Sequence, residues 1–90
     1  MIMDLELIRQ EIDMIDAQLV ALLEKRMALV SQVVAYKKAT GKAVLDTSRE
    51  QIVLEKVASR VVNKEFEETI VATFSDIMKS SRAYQSSKLA

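Results

Sequence analysis

Apolar side chains in the first half of the chain recur at alternating intervals of three and four: Leu5, Ile8, Ile12, Ile15, Leu19 and Leu22, then Leu29, Val33 and Tyr36. The place in this series between Leu22 and Leu29 belongs to a cation, Arg26. Such a seam marks a helix that packs against another along its length. Proline is absent and the single glycine is Gly41, so the strongest helix breakers are missing before that point. The pattern predicts one helix from about Asp4 to Ala39, on the order of 50 Å long at ~1.5 Å per residue. A compact chain of 90 residues has a radius of gyration of about 12 Å. A helix of that length cannot bury its own stripe alone.

After Gly41, Asp46-Thr47-Ser48-Arg49-Glu50 reads as a helix start, with Thr47 and Glu50 at capping-box spacing or Asp46 as the cap itself. A short second helix follows, with Ile52, Val53, Leu54, Val57 and Val61 as its apolar face. Asn63 then offers a cap for a third helix, with Glu65 in its first turn, running to about Ser86. Its stripe begins at Ile70, Phe74 and Ile77 and continues at the same spacing through Ser81 and Gln85, so the inward face turns polar near its end. The expected architecture is all-α, a single domain over residues 1–90 with one long, one short and one medium helix. There is no internal repeat, linker or low-complexity stretch.

Composition narrows the chemistry. Half the residues are hydrophobic and 29% are charged, a globular balance. Thirteen basic residues offset thirteen acidic ones, which argues against the positive footprint that nucleic-acid binding requires. Cys and His are both absent. Zinc fingers, thiol nucleophiles, disulfides, Ser-His-Asp triads and most transition-metal sites go with them. Any chemistry must run on Arg, Lys, Asp, Glu, Ser, Tyr and Gln. Asp4 and Glu6 stand where a secretory signal needs positive charge, and no stretch approaches the roughly 20 apolar residues of a membrane span. The expectation is a cytoplasmic protein with no membrane or nucleic-acid partner.

Arg26 is the first candidate, because a cation in an apolar seam is costly unless a counter-charge or ligand meets it. Its structural alternative is a polar residue that sets coiled-coil register. Lys37, eleven residues later, projects from nearly the same side about 16 Å farther along, and two long side chains leaning together over that gap suit a small dianion. Arg9 precedes Arg26 by seventeen residues, about 25 Å along the axis and roughly a quarter-turn away. It cannot share a small-molecule site with its own Arg26. The simplest geometry puts it in the site of a second subunit whose long helix runs antiparallel; otherwise it is a solvated surface arginine. Asp46 and Glu50 are accounted for by capping and the helix dipole, whereas Arg49 opposes that dipole and wants an anionic partner, Asp46, Glu50 or a ligand. Ser81 and Gln85, one turn apart, donate hydrogen bonds without charge, or else mark fraying of the third helix.

Five pieces of the sequence occur together in order: Leu-Ile-Arg9-Gln-Glu-Ile-Asp13-Met-Ile-Asp16, Leu-Leu-Glu-Lys-Arg26, Tyr36-Lys37, Gly41 with Val44-Leu45-Asp46-Thr47-Ser48-Arg49-Glu50, and finally Ser81 with Gln85. This ordered set resembles the all-helical class of chorismate mutases, which convert chorismate to prephenate on the route to Phe and Tyr. The resemblance implies an intertwined homodimer in which each of two sites is built mostly from one chain plus one arginine of the other. Arg9 would be that crossing arginine. Arg26 and the partner's Arg9 would grip the substrate carboxylates, while Lys37 and Gln85 would donate to the ether oxygen. Asp46 and Glu50 would contact the ring hydroxyl, Ser81 would reach a carboxylate, and Arg49 would steady the acidic pair. No metal or cofactor is implied.

The residue chemistry agrees with a unimolecular pericyclic rearrangement, which needs no nucleophile. Catalysis then consists of holding a flexible dicarboxylate in a near-attack conformation and stabilising charge on the breaking C–O bond. Two other readings remain at this level. One is an isochorismate-pyruvate lyase, similar to these mutases in fold and cationic pocket. The other is a noncatalytic helical dimerisation module.

Overall fold

The computed structural model describes residues 4–90. The long helix α1 spans Leu5–Thr40, α2 spans Thr47–Arg60, and α3 spans Glu67–Leu89, with one 3-10 turn at Lys64–Phe66 between the last two. The all-α, three-helix expectation holds. Among the described residues no helix is long and apolar enough to cross a membrane.

Each boundary has a local cause. Asp4 caps α1, its carboxylate accepting from the backbone N–H groups of Glu6 at 2.9 Å and Leu7 at 3.4 Å. At the other end Gly41 turns left-handed at φ 72° and sends its N–H to the Lys37 carbonyl. A side chain added there would meet nothing within 4 Å, so backbone conformation and not space calls for glycine. Asp46 is the cap of α2, bonding the Arg49 N–H at 3.0 Å, and Thr47 is the first helical residue. Of the two caps the sequence allowed, the aspartate is used.

The third helix starts later and ends later than its pattern suggests. Asn63 does cap, accepting from the Glu65 N–H at 3.1 Å, but the turn it opens is 3-10, closed by the Phe66 N–H on the Asn63 carbonyl. That tighter turn reverses the chain within the short span between Arg60 and Glu67. Lys64 pins the corner, reaching the Ala58 carbonyl at 2.8 Å and Glu67 at 3.0 Å. Nothing after Ser86 breaks a helix, and α3 continues to Leu89 with Lys88 in its last turn, where the dipole favours a cation.

Helix α3 is the common support. It packs against both α1 and α2, while those two make no close backbone approach to each other. The apolar core is correspondingly small: Val30 and Val34 of α1, Val57 of α2 and Met78 of α3. Ser31 and Tyr84 add a hydroxyl contact of 3.1 Å between α1 and α3. The buried valines of α1 each lie one position past the seam residues Leu29 and Val33, so α3 covers a neighbouring face and leaves the seam open. Leu22 is 60% exposed and Leu29 61% exposed. The molecule is 59 Å in its longest dimension, with a radius of gyration of 16.6 Å, well above the compact expectation of about 12 Å. Exposed apolar residues thus recur along much of α1, the kind of surface that proteins commonly cover with a partner.

Candidate active site

The end of α1 and the loop behind it make the first wall. Gly41 stops the helix one turn beyond Lys37, and the returning chain brings the Val44 carbonyl to 2.8 Å from the Lys37 ammonium. The same ammonium donates to Gln85 Oε1 at 2.7 Å. That bond sets the amide the other way at its nitrogen, and Gln85 Nε2 donates to Ser81 Oγ at 3.3 Å. Ser81 and Gln85 are buried and helical, not frayed. Lys37 thus meets two neutral acceptors and keeps one N–H, and its charge is not cancelled by a carboxylate.

The start of α2 makes the second wall. Asp46 spends one carboxylate oxygen on the helix cap, and Glu50, one turn on, forms an ion pair with Arg82 of α3. Arg49 was expected to find its anion in Asp46, Glu50 or a ligand, and the resemblance made it the support of the acidic pair. In the structure Arg49 gives Asp46 only its backbone N–H, and Arg82 takes Glu50. Among the described residues the guanidinium groups of Arg26 and Arg49 have no carboxylate partner.

These walls enclose a cavity of about 300 Å³, at the small end of the range for small-molecule sites. Its floor is apolar, from Leu29, Val30, Val33, Val53 and Met78. All the residues singled out from the sequence line it except Arg9, which is exposed and far along α1. Arg82 and the Val44 carbonyl were not foreseen. Arg82 carries a readable signal, standing four residues after Met78 and three before Gln85 and so sharing their face. The Val44 carbonyl carries none, since a backbone acceptor is placed by the loop path alone.

Four cations, Arg26, Lys37, Arg49 and Arg82, face two carboxylates, Asp46 and Glu50. With Glu50 opposed by Arg82 and Asp46 capping a helix, the surplus is positive and concentrated on Arg26, Lys37 and Arg49. A small, partly apolar cavity with unpaired guanidinium groups has the chemistry to take a compact organic anion, since planar N–H forks suit carboxylates. Among the described residues no group of His, Cys, Asp and Glu is placed to hold a metal ion.

The sequence model of the chorismate mutase type II family matches residues 8–86. The chain belongs to that family. The matched span runs from the first turns of α1 to the last turns of α3, so it contains Arg9 and every residue lining the cavity. No curated protein and no solved structure matches the chain. Membership of the chorismate mutase type II family accords with the helical architecture and with a cavity whose charge suits a dicarboxylate.

Proposed function

We propose that the protein is a chorismate mutase, isomerising chorismate to prephenate by a Claisen rearrangement, and that it acts as an intertwined homodimer of single-domain chains in the cytoplasm. The observation that carries this reading is the pairing of Lys37 with Gln85 inside a cavity that also holds two unpaired guanidinium groups. The reaction has no leaving group to protonate and no nucleophile to activate. Its demands are conformational and electrostatic, and they match what the cavity supplies.

Arg26 and the partner's Arg9 hold the two carboxylates and fold the side chain of the substrate over its ring. The remaining N–H of Lys37 and the second N–H of Gln85 point to the ether oxygen, where negative charge grows as the C–O bond breaks. Donors already fixed by Val44 and Ser81 do not reorganise during the step, which favours the transition state over the ground state. Asp46 and Glu50 receive the ring hydroxyl, Ser81 donates to a carboxylate, and Arg49 adds positive potential at the rim. Arg82 holds Glu50 in place as a positioning residue.

The test is an assay of the purified chain on chorismate, with and without chelator. Prephenate formation unaffected by chelator is expected. A folded dimer that leaves chorismate unchanged defeats the proposal, and salicylate with pyruvate formed from isochorismate as the main activity reassigns the cavity to the lyase reaction.

A further inference from the structure

A second cavity of about 210 Å³ opens in the gap between α1 and α2. It shares Arg26, Arg49 and Val53 with the first and continues along α2 past Lys56 and Arg60 to Phe74 of α3. No carboxylate lines it. Arg49, Lys56 and Arg60 fall seven and four residues apart, so they form one basic line on α2 about 16 Å long. Among the described residues none of the three is paired with an acid, and all are exposed. A row of unopposed like charges is unfavourable on a helix and calls for anionic cover.

The complementary line lies on α1. Between Asp4 and Asp16 the only cation is Arg9, against Asp4, Glu6, Glu11, Asp13 and Asp16. Asp13 and Asp16 follow Arg9 by four and seven residues, within about 40° of it around the helix axis. Neither makes an ion pair among the described residues, even though Arg9 and Asp13 are one turn apart. The step from Arg9 to Asp16 equals the step from Arg49 to Lys56, about 10 Å in each helix.

Direction also agrees. Past the two cavities α1 runs from Arg26 to Lys37 while α2 runs from Asp46 to Arg60, and Arg26 shares the second cavity with the far end of α2. The two helices therefore pass the site in opposite senses. A second α1 laid antiparallel to the first runs in the same sense as α2, and its residues after Arg9 advance alongside those after Arg49.

We propose that the basic line of α2 docks the acidic line of a second copy's α1, with Asp16 level with Lys56 and about one turn short of Arg60, and Asp13 between Arg49 and Lys56, and that this pairing sets the depth and register at which the partner's Arg9 enters the first cavity. The inference rests on the two-chain reading of the site. It adds an electrostatic register to an apolar seam whose three-and-four repeat by itself permits sliding by a heptad.

The experiment compares three charge-reversal variants with the parent protein: Asp13→Lys with Asp16→Lys, Lys56→Glu with Arg60→Glu, and all four together. Dimer dissociation is followed by sedimentation, and kcat is measured at concentrations where each variant is dimeric. Each two-site variant is expected to dissociate at least about tenfold more readily and to lose kcat, and the four-site variant to recover both to within about threefold. No recovery in a folded four-site variant overturns the pairing. A neutral cycle, Asp16→Asn against Lys56→Gln, guards against misfolding of the reversed chains, and strict additivity in it also overturns the pairing. A parent protein that is fully active as a monomer removes the two-chain reading itself, a result distinct from the others. Inorganic phosphate that binds the parent, and is lost from Lys56→Glu with Arg60→Glu while dimerisation is unchanged, assigns the groove to a free anion and overturns the proposal.

Discussion

Lys37 and Gln85 are bonded to each other and each has a second partner, Val44 for the lysine and Ser81 for the glutamine, which gives each a definite polarity. Gln85 accepts from Lys37 through Oε1 and offers N–H groups from Nε2. A glutamate at this position would sit beside an ammonium at hydrogen-bond distance, which favours its ionised form. Ionised, it has no proton to give and, in the proposed reaction, sets a negative charge next to the oxygen on which negative charge develops. Protonated, it regains an O–H donor. Gln85→Glu is therefore expected to turn over in acid and to lose activity as pH rises, while Gln85→Ala loses about a hundredfold or more in kcat at every pH. A pH–rate profile of Gln85→Glu that follows the parent's would show that this side chain does not face the reacting oxygen.

At the scale of elements, Gly41 connects helix termination to the site. Its left-handed turn ends α1 and starts the loop that returns the Val44 carbonyl to Lys37. An alanine there keeps the space but resists the conformation, at about 1–2 kcal/mol, partly offset by a stiffer unfolded chain. Gly41→Ala is expected to lower the thermal midpoint by several degrees at fixed protein concentration, roughly 4–8 °C per kcal/mol for a domain of this size, and Gly41→Asn by less because asparagine tolerates that region. Equal stability of Gly41→Ala and the parent would show that the turn relaxes without loss. The elements themselves were legible because they depend on local rules: the seam with no proline gives α1, Asp46 announces α2, and Asn63 announces the turn that leads into α3. What was not legible depended on chain path. The 3-10 turn before α3 arises from how sharply the chain must reverse, the Val44 acceptor from where the loop returns, and the Arg82 to Glu50 pair from which of several nearby cations α3 carries to α2. The candidate residues were readable as an ordered set, yet their individual partners were not, and Arg49 is the clearest case.

For the whole molecule, the decisive fact is an open seam. Helix α3 covers Val30 and Val34 and leaves Leu19, Leu22 and Leu29 facing outward beside Arg26, while Arg9 stands about 25 Å away on the same helix. In the proposed dimer a second antiparallel α1 covers the seam and brings its own Arg9 to Arg26, so that each site spans two chains. On this reading Arg9→Ala and Arg26→Ala homodimers are each nearly inactive, since each leaves a carboxylate unheld in both sites. A heterodimer of the two variants differs. One of its sites collects both lesions, and the other receives an intact Arg26 from one chain and an intact Arg9 from its partner. Random reassortment of equal amounts makes about half the dimers mixed, and each mixed dimer has one whole site, so coexpression or co-refolding should recover roughly a quarter of parental activity per total protein. Mass spectrometry of the intact dimers confirms the exchange independently of activity. Mixed dimers present in that proportion without recovered turnover would place Arg9 outside the site and require the seam to be covered in some other arrangement.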